Sequence, residues 1–199
     1  MFIVVSGPPA SGKSTVAPVL AQAMGLPLIA KDIIKDALMA TIATPDIETS
    51  RQLGRAAVTA MYAIAAASPV GAVIESTFLR SVAIAAVGRL EGDVIEVFCR
   101  CRRQVAVQRY LNRSGTRHAG HFDADRSPEE IWNEENAQPI AGGWPVLQVD
   151  TNTPVDIEVV LARITAVNST WSTTTAADDP GHGWPRSACF RACAIQRRA

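Results

Sequence analysis

One eight-residue segment near the start of the chain restricts the possible folds more than any other feature. Residues 7–14 read Gly-Pro-Pro-Ala-Ser-Gly-Lys-Ser and match the pattern G-x-x-x-x-G-K-S/T at every fixed position. An apolar, β-branched run precedes the segment, and a pattern typical of a helix begins at Ser14. A strand, a glycine-containing turn and a helix N-terminus in this order form a phosphate-binding P-loop. The segment therefore predicts an α/β fold with a polyphosphate site after the first strand.

The residue types in this loop explain how it would hold ATP. Glycine permits a tight turn in which successive backbone N–H groups converge on one phosphate, and the helix N-terminus adds partial positive charge. We expect Lys13 to contact the β- and γ-phosphates, Ser14 to ligate Mg²⁺, and Thr15 to lie near the α-phosphate. The other loop residues predicted to bind ATP are Gly7, Ala10, Ser11 and Gly12.

Strand and helix patterns alternate along the rest of the chain. We predict strands at residues 2–6, 26–30, 72–75, 94–99 and 146–149, and helices at 14–24, 32–41, 48–68, 79–90, 103–114 and 154–167. The strands are continuously apolar, as expected of parallel strands that are buried on both faces. This alternation predicts a three-layer P-loop fold, in which helices cover both faces of a five-stranded parallel sheet.

The composition changes near residue 167. Up to that point the chain has the length of one ordinary α/β domain, and 48% of the whole chain is apolar. Residues 168–199 begin with a Ser/Thr-rich stretch and end with basic residues. We therefore expect residues 1–167 to form the nucleotide-binding domain and residues 168–199 to be a poorly ordered C-terminal extension.

Charge and apolar runs disfavour several classes of protein. Lys plus Arg and Asp plus Glu both total 19, so the net charge is zero and binding to long nucleic acid is not expected. No apolar run approaches the ~20 residues that cross a bilayer, and the N-terminus lacks a signal-peptide pattern. The four cysteines lack metal-site spacing, which favours free thiols in a reducing cytoplasm.

Missing motifs narrow the class of P-loop protein further. The sequence has no N/T-K-x-D element for base recognition, and its only D-x-x-G, at residues 178–181, lies in the extension. No apolar strand ends in Asp-Glu, and no ABC signature is present. These features disfavour GTPases and motor ATPases and favour a small P-loop kinase.

Carboxylates follow the second and third predicted strands, at the sheet edge where parallel α/β proteins bind ligands. Asp32 is our candidate for the group that activates or orients an acceptor hydroxyl; the alternative is an N-cap of the following helix. Glu75 is our candidate for an acid that holds Mg²⁺ through water or contacts substrate; the alternative is an ion pair with an arginine. The chain has only three lysines, and Lys13, Lys31 and Lys35 crowd into one region of the sequence.

Arginines form a second cluster between residues 102 and 127. Arg109, Arg113 and Arg117 repeat every four residues and share one face if their helix continues that far. Because like charges repel unless they meet anions, we expect a lid over the triphosphate. Arg109 and Arg113 would then bind ATP, and Arg117 would act in catalysis. The alternative is a solvated helix face that is paired with acids such as Asp123.

Two further pairs of side chains are candidates for substrate contact. His118 and His121 lie in the predicted lid, although lone histidines more often form hydrogen bonds within loops. Arg51 and Arg55 share a helix face and are placed to reach an acidic acceptor. These four residues extend the predicted acceptor side beyond Asp32.

Six short motifs together resemble one group of proteins. They are VVSGPPASGKST, the Asp shortly after the second strand, VIESTF, FCRC, RYxxR with RHxGH, and VDTNTPVD. Over roughly residues 2–167 the set is similar to the P-loop kinases of the AAA-like group, which are related to chloramphenicol phosphotransferase, zeta toxins and polynucleotide kinases. This resemblance implies a sheet order of 2-3-1-4-5, an arginine-bearing lid over ATP, and a base at Asp32.

These observations lead to one functional hypothesis with two alternatives. The first is an ATP- and Mg²⁺-dependent phosphotransferase that acts on a hydroxyl of a small molecule, with Lys13, Asp32 and Arg117 as catalytic residues. The second has a nucleoside, a nucleotide or a polynucleotide 5′-hydroxyl as the acceptor. The third is a non-catalytic ATP-binding switch, which would be favoured if Asp32 and Glu75 pointed away from the phosphate pocket.

Overall fold

Strands and helices alternate in the computed structural model, which describes residues 1–115 and 117–175. The strands are β1 (Phe2–Ser6), β2 (Leu28–Ala30), β3 (Ala72–Glu75), β4 (Val94–Arg100) and β5 (Val146–Asp150). The helices are α1 (Lys13–Met24), α2 (Lys31–Met39), α3 (Ile47–Ala66), α4 (Arg80–Val87), α5 (Arg103–Ser114), α6 (Pro128–Ile131) and α7 (Ile157–Thr175). Two short 3-10 turns follow α5, at Ala119–His121 and Asp123–Asp125.

All five strands join one parallel sheet in the order β2-β3-β1-β4-β5. The central strand is β1, in which Val5 lies opposite Glu75 of β3 and Val97 of β4. The parallel sheet and its strand order both confirm the predicted fold. Because the carboxyl ends of parallel strands meet at one edge, the loop after β1, the start of α2 and the end of β3 come together there.

Helices cover both faces of the sheet. On one face Val5 belongs to a buried apolar cluster with Leu20 of α1 and Ile164 of α7. On the other face Val4 belongs to a cluster with Met61 of α3. Successive residues of a strand point to opposite faces, so β1 contributes to both layers. Burial of each large apolar side chain contributes about 1.5–3 kcal/mol, which holds the exit of β1 in place.

One buried charge interrupts the apolar pattern of the strands. Glu96 in β4 is fully buried, and its carboxylate accepts hydrogen bonds from Ser6 Oγ (2.5 Å) and from the backbone N–H groups of Ile140 (2.8 Å) and Ala141 (2.9 Å). Trp144 Nε1 donates a further bond at 3.3 Å. The prediction of continuously apolar strands is therefore wrong at this position. Four donors satisfy the carboxylate and fix the segment that leads into β5.

The end of α5 differs from the prediction about the arginines. The helix ends at Ser114, with Gly115 as its C-cap, so Arg117 lies beyond it. The backbone N–H of Arg117 still donates to the carbonyl of Arg113 at 3.2 Å, and the chain then turns away. Arg117 consequently does not share a helix face with Arg109 and Arg113, and it reaches a different part of the site.

The last helix is longer than predicted. It runs to Thr175 rather than ending at residue 167, so the first part of the predicted extension is helical. Hydroxyl groups in this part of the helix bond back to its own backbone: Thr165 Oγ1 donates to the carbonyl of Leu161, and Ser169 Oγ donates to that of Thr165. The rest of the predicted extension, residues 176–199, lies outside the described residues.

The compartment was predicted from the cysteines and from the absence of long apolar runs. Cys99 and Cys101 are free thiols, and both are buried. In residues 1–115 and 117–175, no helix has both the length and the apolar character needed to cross a bilayer. Cys189 and Cys193 belong to the part of the chain that is not described.

Candidate active site

The loop between β1 and α1 turns tightly because of its backbone conformations. Gly7 and Gly12 have φ angles of 135° and 90°, and Ala10 has a φ of 58°. A side chain at Gly7 would bring its Cβ within 2.7 Å of the carbonyl oxygen of Cys99 and of Ser11 Oγ. Only glycine therefore lets the loop pack this closely against β4. The result is the compact turn, directly before a helix N-terminus, in which backbone N–H groups bind phosphate.

Lys13 occupies the first turn of α1, immediately after the loop. Its ammonium group is buried and donates to the carbonyl oxygen of Pro8 at 2.7 Å. Burial lowers the pKa of Lys13, although the negative charge of Glu75 opposes this change. A buried ammonium gains stability from a nearby anion, so the electrostatics of the loop favour a bound phosphate.

Glu75 lies at the end of β3 and accepts a hydrogen bond from Ser14 Oγ at 3.3 Å. Burial raises the pKa of Glu75, and the neighbouring Lys13 offsets only part of that effect. The described structure therefore gives Glu75 a hydroxyl partner rather than the alternative arginine. Carboxylate and hydroxyl oxygens suit Mg²⁺, and a divalent cation would stabilise the charged form of a buried carboxylate. Ser14 and Glu75 thus fit a magnesium site.

A cavity of about 610 Å³ opens in front of the loop. One wall of the cavity comes from the segment between β5 and α7, where Thr151 Oγ1 contacts the carbonyl oxygens of Ser11 (2.7 Å) and Arg100 (3.0 Å). These contacts tie the loop to the ends of β4 and β5. We call this cavity the nucleotide compartment; besides the loop, its lining includes Thr15, Val19, Arg109, Arg113, Thr151, Asn152, Thr153, Pro154, Val155 and Ile157.

Arg109 and Arg113 lie one turn apart on α5, and both line the nucleotide compartment. Arg109 Nη2 donates to the carbonyl of Thr151 at 2.9 Å. The guanidinium of Arg113 lies over the ring of Tyr110, with its Cζ 5.1 Å from the ring centre. Arg113 also lines a second cavity, of about 420 Å³, which we call the acceptor compartment. Arg113 therefore marks the border between the two compartments.

Asp32 lines the acceptor compartment and is held by two cations. Its carboxylate accepts hydrogen bonds from Lys31 Nζ at 2.9 Å and from Arg117 Nη2 at 2.8 Å. Because α2 begins at Lys31 and its N-cap is Ala30, the alternative of Asp32 as the N-cap is wrong. Burial raises the pKa of Asp32, but Lys31 and Arg117 lower it more, so the pKa lies well below its ordinary value.

Arg117 connects the predicted base to the segment after α5. Besides Asp32, its guanidinium contacts Asp123 at 3.0 Å and His121 Nε2 at 3.2 Å. Arg117 lines the acceptor compartment, as expected of a residue in the active site, and it also pairs with Asp123, as expected of the alternative in which the arginines pair with acids. His121 is buried and lies 2.6 Å from Asp36, another residue of α2. The segment after α5 therefore closes over α2 and forms one wall of the acceptor compartment.

Sequence reasoning missed two kinds of site residue. Thr151 and its neighbours line the nucleotide compartment. In the sequence they belong to the motif VDTNTPVD, which supported only the family resemblance, and no role in the site was predicted for them. Lys35 and Arg126 line the acceptor compartment. The crowding of three lysines near the P-loop was the one available signal for Lys35. Arg51 and Arg55 line a third cavity beside the acceptor compartment, and both pair with Glu48.

Comparisons with known proteins agree with this geometry. The family model AAA_33, described as AAA domain, matches residues 2–138. A solved structure described as a "putative kinase" from Chloroflexus aurantiacus J-10-fl is 30% identical; the match has a TM-score of 0.75 and covers 83% of this chain and 97% of the other. A comparison with curated proteins gave no match.

Two more distant structures share the fold. A gluconokinase from Sinorhizobium meliloti 1021 is 21% identical, with a TM-score of 0.56 and coverage of 89% of this chain and 97% of the other. A shikimate kinase from Acinetobacter baumannii, solved with shikimate, is 15% identical, with a TM-score of 0.55 and coverage of 85% and 93%.

The sheet order, the P-loop and these similar structures define the class as the P-loop kinase fold. The chain belongs to the AAA_33 family of AAA domains. The predicted membership of a P-loop kinase group is thereby confirmed at the level of the group. The specific relationship to chloramphenicol phosphotransferase, zeta toxins and polynucleotide kinases stays a prediction.

Proposed function

We propose that this protein is an ATP- and Mg²⁺-dependent phosphotransferase that moves the γ-phosphoryl group to a hydroxyl of a small molecule. One observation carries the proposal: two cavities meet at Arg113, one containing Lys13 and the other containing Asp32. A phosphoryl transfer needs this arrangement, with the phosphate held on one side and the attacking hydroxyl oriented on the other. The kinases among the similar structures support the same class of reaction.

The nucleotide side binds and positions the phosphates. Backbone N–H groups of the loop contact the phosphate oxygens, and Lys13 exchanges its bond to the Pro8 carbonyl for the β- and γ-phosphates. Ser14 and Glu75 would hold Mg²⁺, which neutralises charge on the phosphates when it is bound. Arg109 and Arg113, on the wall of the same cavity, bind the triphosphate from the side of α5.

The acceptor side orients the nucleophile. The acceptor hydroxyl donates a hydrogen bond to Asp32, and its oxygen attacks the γ-phosphorus while the bond to the β–γ bridging oxygen breaks, which releases ADP. The proton passes to Asp32 late in the reaction. A carboxylate with a low pKa suits this role, because in a loose transition state the hydroxyl needs orientation more than early deprotonation. Arg117 positions Asp32 and adds positive charge beside the transferred group.

Two observations favour this function over the alternatives. Asp32 and Glu75 both lie at the cavities, which opposes a non-catalytic switch. A compartment of about 420 Å³ has the size of a small-molecule site, and a net charge of zero gives little attraction for a polynucleotide. The proposed reaction consumes ATP, and Cys99 and Cys101 are free thiols. Both features support a location in the reducing, ATP-containing cytoplasm.

A coupled assay for ADP release tests the proposal. Hydroxylated metabolites, antibiotics and nucleosides are screened as acceptors with ATP and Mg²⁺, with Asp32→Ala as the control variant. We expect acceptor-stimulated ADP release by the wild type and almost none by the variant. Binding of ATP without stimulation by any acceptor would favour the switch, and stimulation that Asp32→Ala leaves intact would remove Asp32 from the mechanism.

A further inference from the structure

Lys35 is a buried cation that the reaction described above does not use. Lys35 is only 1% exposed to solvent. It lies in the second turn of α2 and lines the acceptor compartment. Its ammonium group donates to Ser50 Oγ at 2.6 Å. Within residues 1–115 and 117–175 it forms no ion pair with a carboxylate. An ammonium has three donors, so the bond to Ser50 leaves capacity for a further partner.

The side chains that line the acceptor compartment carry more positive than negative charge. Five cationic side chains line it, but only two carboxylates do, which leaves an excess of three positive charges. The two carboxylates, Asp32 and Asp123, both pair with Arg117, and Asp32 also pairs with Lys31. The five cations are Lys31, Lys35, Arg113, Arg117 and Arg126. The transferred phosphate accounts for charge near Arg113 and Arg117, whereas Lys35 has a neutral hydroxyl, Ser50 Oγ, as its hydrogen-bond partner.

Lys35 also borders a third cavity, of about 530 Å³, between α3 and the segment after β3. Lys31, Lys35 and Arg126 line both this cavity and the acceptor compartment, so the two spaces adjoin at these side chains. Apolar side chains form much of the wall of the third cavity, among them Tyr62 and Phe78. Lys35 therefore lies at the boundary between the compartment that contains Asp32 and this apolar space.

We propose that the acceptor is a hydroxylated small acid whose anionic group, a carboxylate or a phosphate, binds to Lys35. This inference rests on the proposed phosphotransferase function. Asp32 and Lys35 are three residues apart on α2 and therefore neighbours on one face. The anionic group consequently lies about one helical turn, or ~5 Å, from the hydroxyl that is phosphorylated. The anion supplies a counter-charge to Lys35, which pairs with no carboxylate within residues 1–115 and 117–175.

Matched sets of acceptors test the inference. Glycerate and glycerol 3-phosphate are compared with glycerol, and gluconate and glucose 6-phosphate with glucitol; any acceptor from the wider screen is compared with its neutral analogue. We expect turnover of the anionic acceptors only. Whichever of the carboxylates and the phosphates has the lower KM identifies the anionic group that the site binds. In Lys35→Met the KM of the anionic acceptor rises about 10- to 100-fold, the effect of losing one charge-assisted hydrogen bond. Arg89→Met, which removes an exposed cation outside the three cavities, leaves KM unchanged.

These outcomes separate the inference from the proposed function. Equal turnover of neutral and anionic acceptors, or an unchanged KM in Lys35→Met, would overturn the inference while leaving the phosphotransferase intact. Methionine has a volume similar to that of lysine and removes a buried charge, so the variant is expected to fold.

A binding measurement decides the inference even if no acceptor is turned over. The thermal midpoint is measured with Mg²⁺ and a non-hydrolysable ATP analogue, which fills the γ-phosphate position, with and without inorganic phosphate. We expect phosphate to raise the midpoint of the wild type and of Arg89→Met, and to raise that of Lys35→Met much less. An equal rise in all three proteins would show that phosphate binds without Lys35 and would overturn the anion site.

Discussion

The nucleotide compartment and the acceptor compartment are built in different ways. The nucleotide compartment centres on one continuous stretch of the chain, residues 10–16, which line the cavity together. The acceptor compartment is assembled from side chains of α2, α5 and the segments that follow β3 and α5. A site made by a continuous stretch of backbone can be found in the sequence from its spacing. A site made by distant side chains appears only after folding.

The charges of the two compartments also differ. Lys13 and Glu75 lie close enough to influence each other's pKa, so the nucleotide side contains both signs of charge beside the loop. The acceptor side carries an excess of positive charge around Lys35. The first arrangement suits a phosphate chain with its metal ion, and the second suits an acceptor that brings its own negative charge.

The largest effect is expected at the residue that defines the nucleotide side. Lys13→Met should reduce turnover by on the order of 10⁴-fold, because the charge on the γ-phosphoryl group loses its closest fixed cation. The fold should persist, since the change removes a buried charge whose pKa burial already lowers. Calorimetry with ATP and a thermal melt measure the two effects separately. An unchanged ATP titration would contradict the assignment of this site.

The substitution Asp32→Asn should impair the function of the acceptor compartment and leave nucleotide binding intact. We expect kcat to fall by about 10³-fold with little change in the KM for ATP, because the amide neither accepts the proton nor orients the hydroxyl in the same way. Asp36→Asn is the matched control, since Asp36 lies one turn farther along α2 and contacts His121. Steady-state kinetics measure both variants. Equal losses in the two would indicate a general effect on α2 rather than a role for Asp32.

The charge of Lys35 predicts a dependence of stability on pH. Burial, together with the like charges of Lys31 and Arg126, lowers the pKa of Lys35 from 10.5 to about 8. Between these pH values the unfolded chain keeps the proton that the folded protein has released, so this residue makes stability rise with pH. Below pH 8 the charged Lys35 costs the folded state about 3 kcal/mol.

Urea unfolding of the wild type and of Lys35→Met isolates this contribution from those of other groups. The stability advantage of the variant should be largest near pH 7.5 and should shrink by about 3 kcal/mol by pH 10.5. A constant difference across this range would mean that Lys35 is not a charged, buried group in the protein without ligand.

The smallest effect is expected for Arg117→Lys. Lysine keeps the charge but cannot bridge Asp32 and Asp123 together, so we expect kcat to fall about tenfold. The pKa of Asp32 should rise as the cation moves away, and the acidic limb of the pH profile of kcat should shift upward with it. A reduced kcat with an unmoved acidic limb would indicate that Arg117 acts on the phosphate rather than through Asp32.

Particular residues show how far the sequence predicted the site. Asp32 and Glu75 were found because they follow strands, and the ends of parallel strands meet at one edge. The helix was predicted to end at residue 114, as it does, but the shared face of Arg109, Arg113 and Arg117 depended on its continuing further, so Arg117 lies beyond that face. Glu96 also departed from the pattern, since a buried carboxylate depends on donors from a segment about 45 residues farther along the chain.

By itself, the sequence determined the P-loop, the parallel fold and the class of reaction to test. These features follow from local spacing, from the period of apolar residues and from the backbone freedom of glycine, all of which act over short distances along the chain. Only the tertiary structure decided which side chains surround the acceptor. The contacts of Arg117 with Asp32 and of Lys35 with Ser50 join residues of different structural elements, and only packing brings these side chains together.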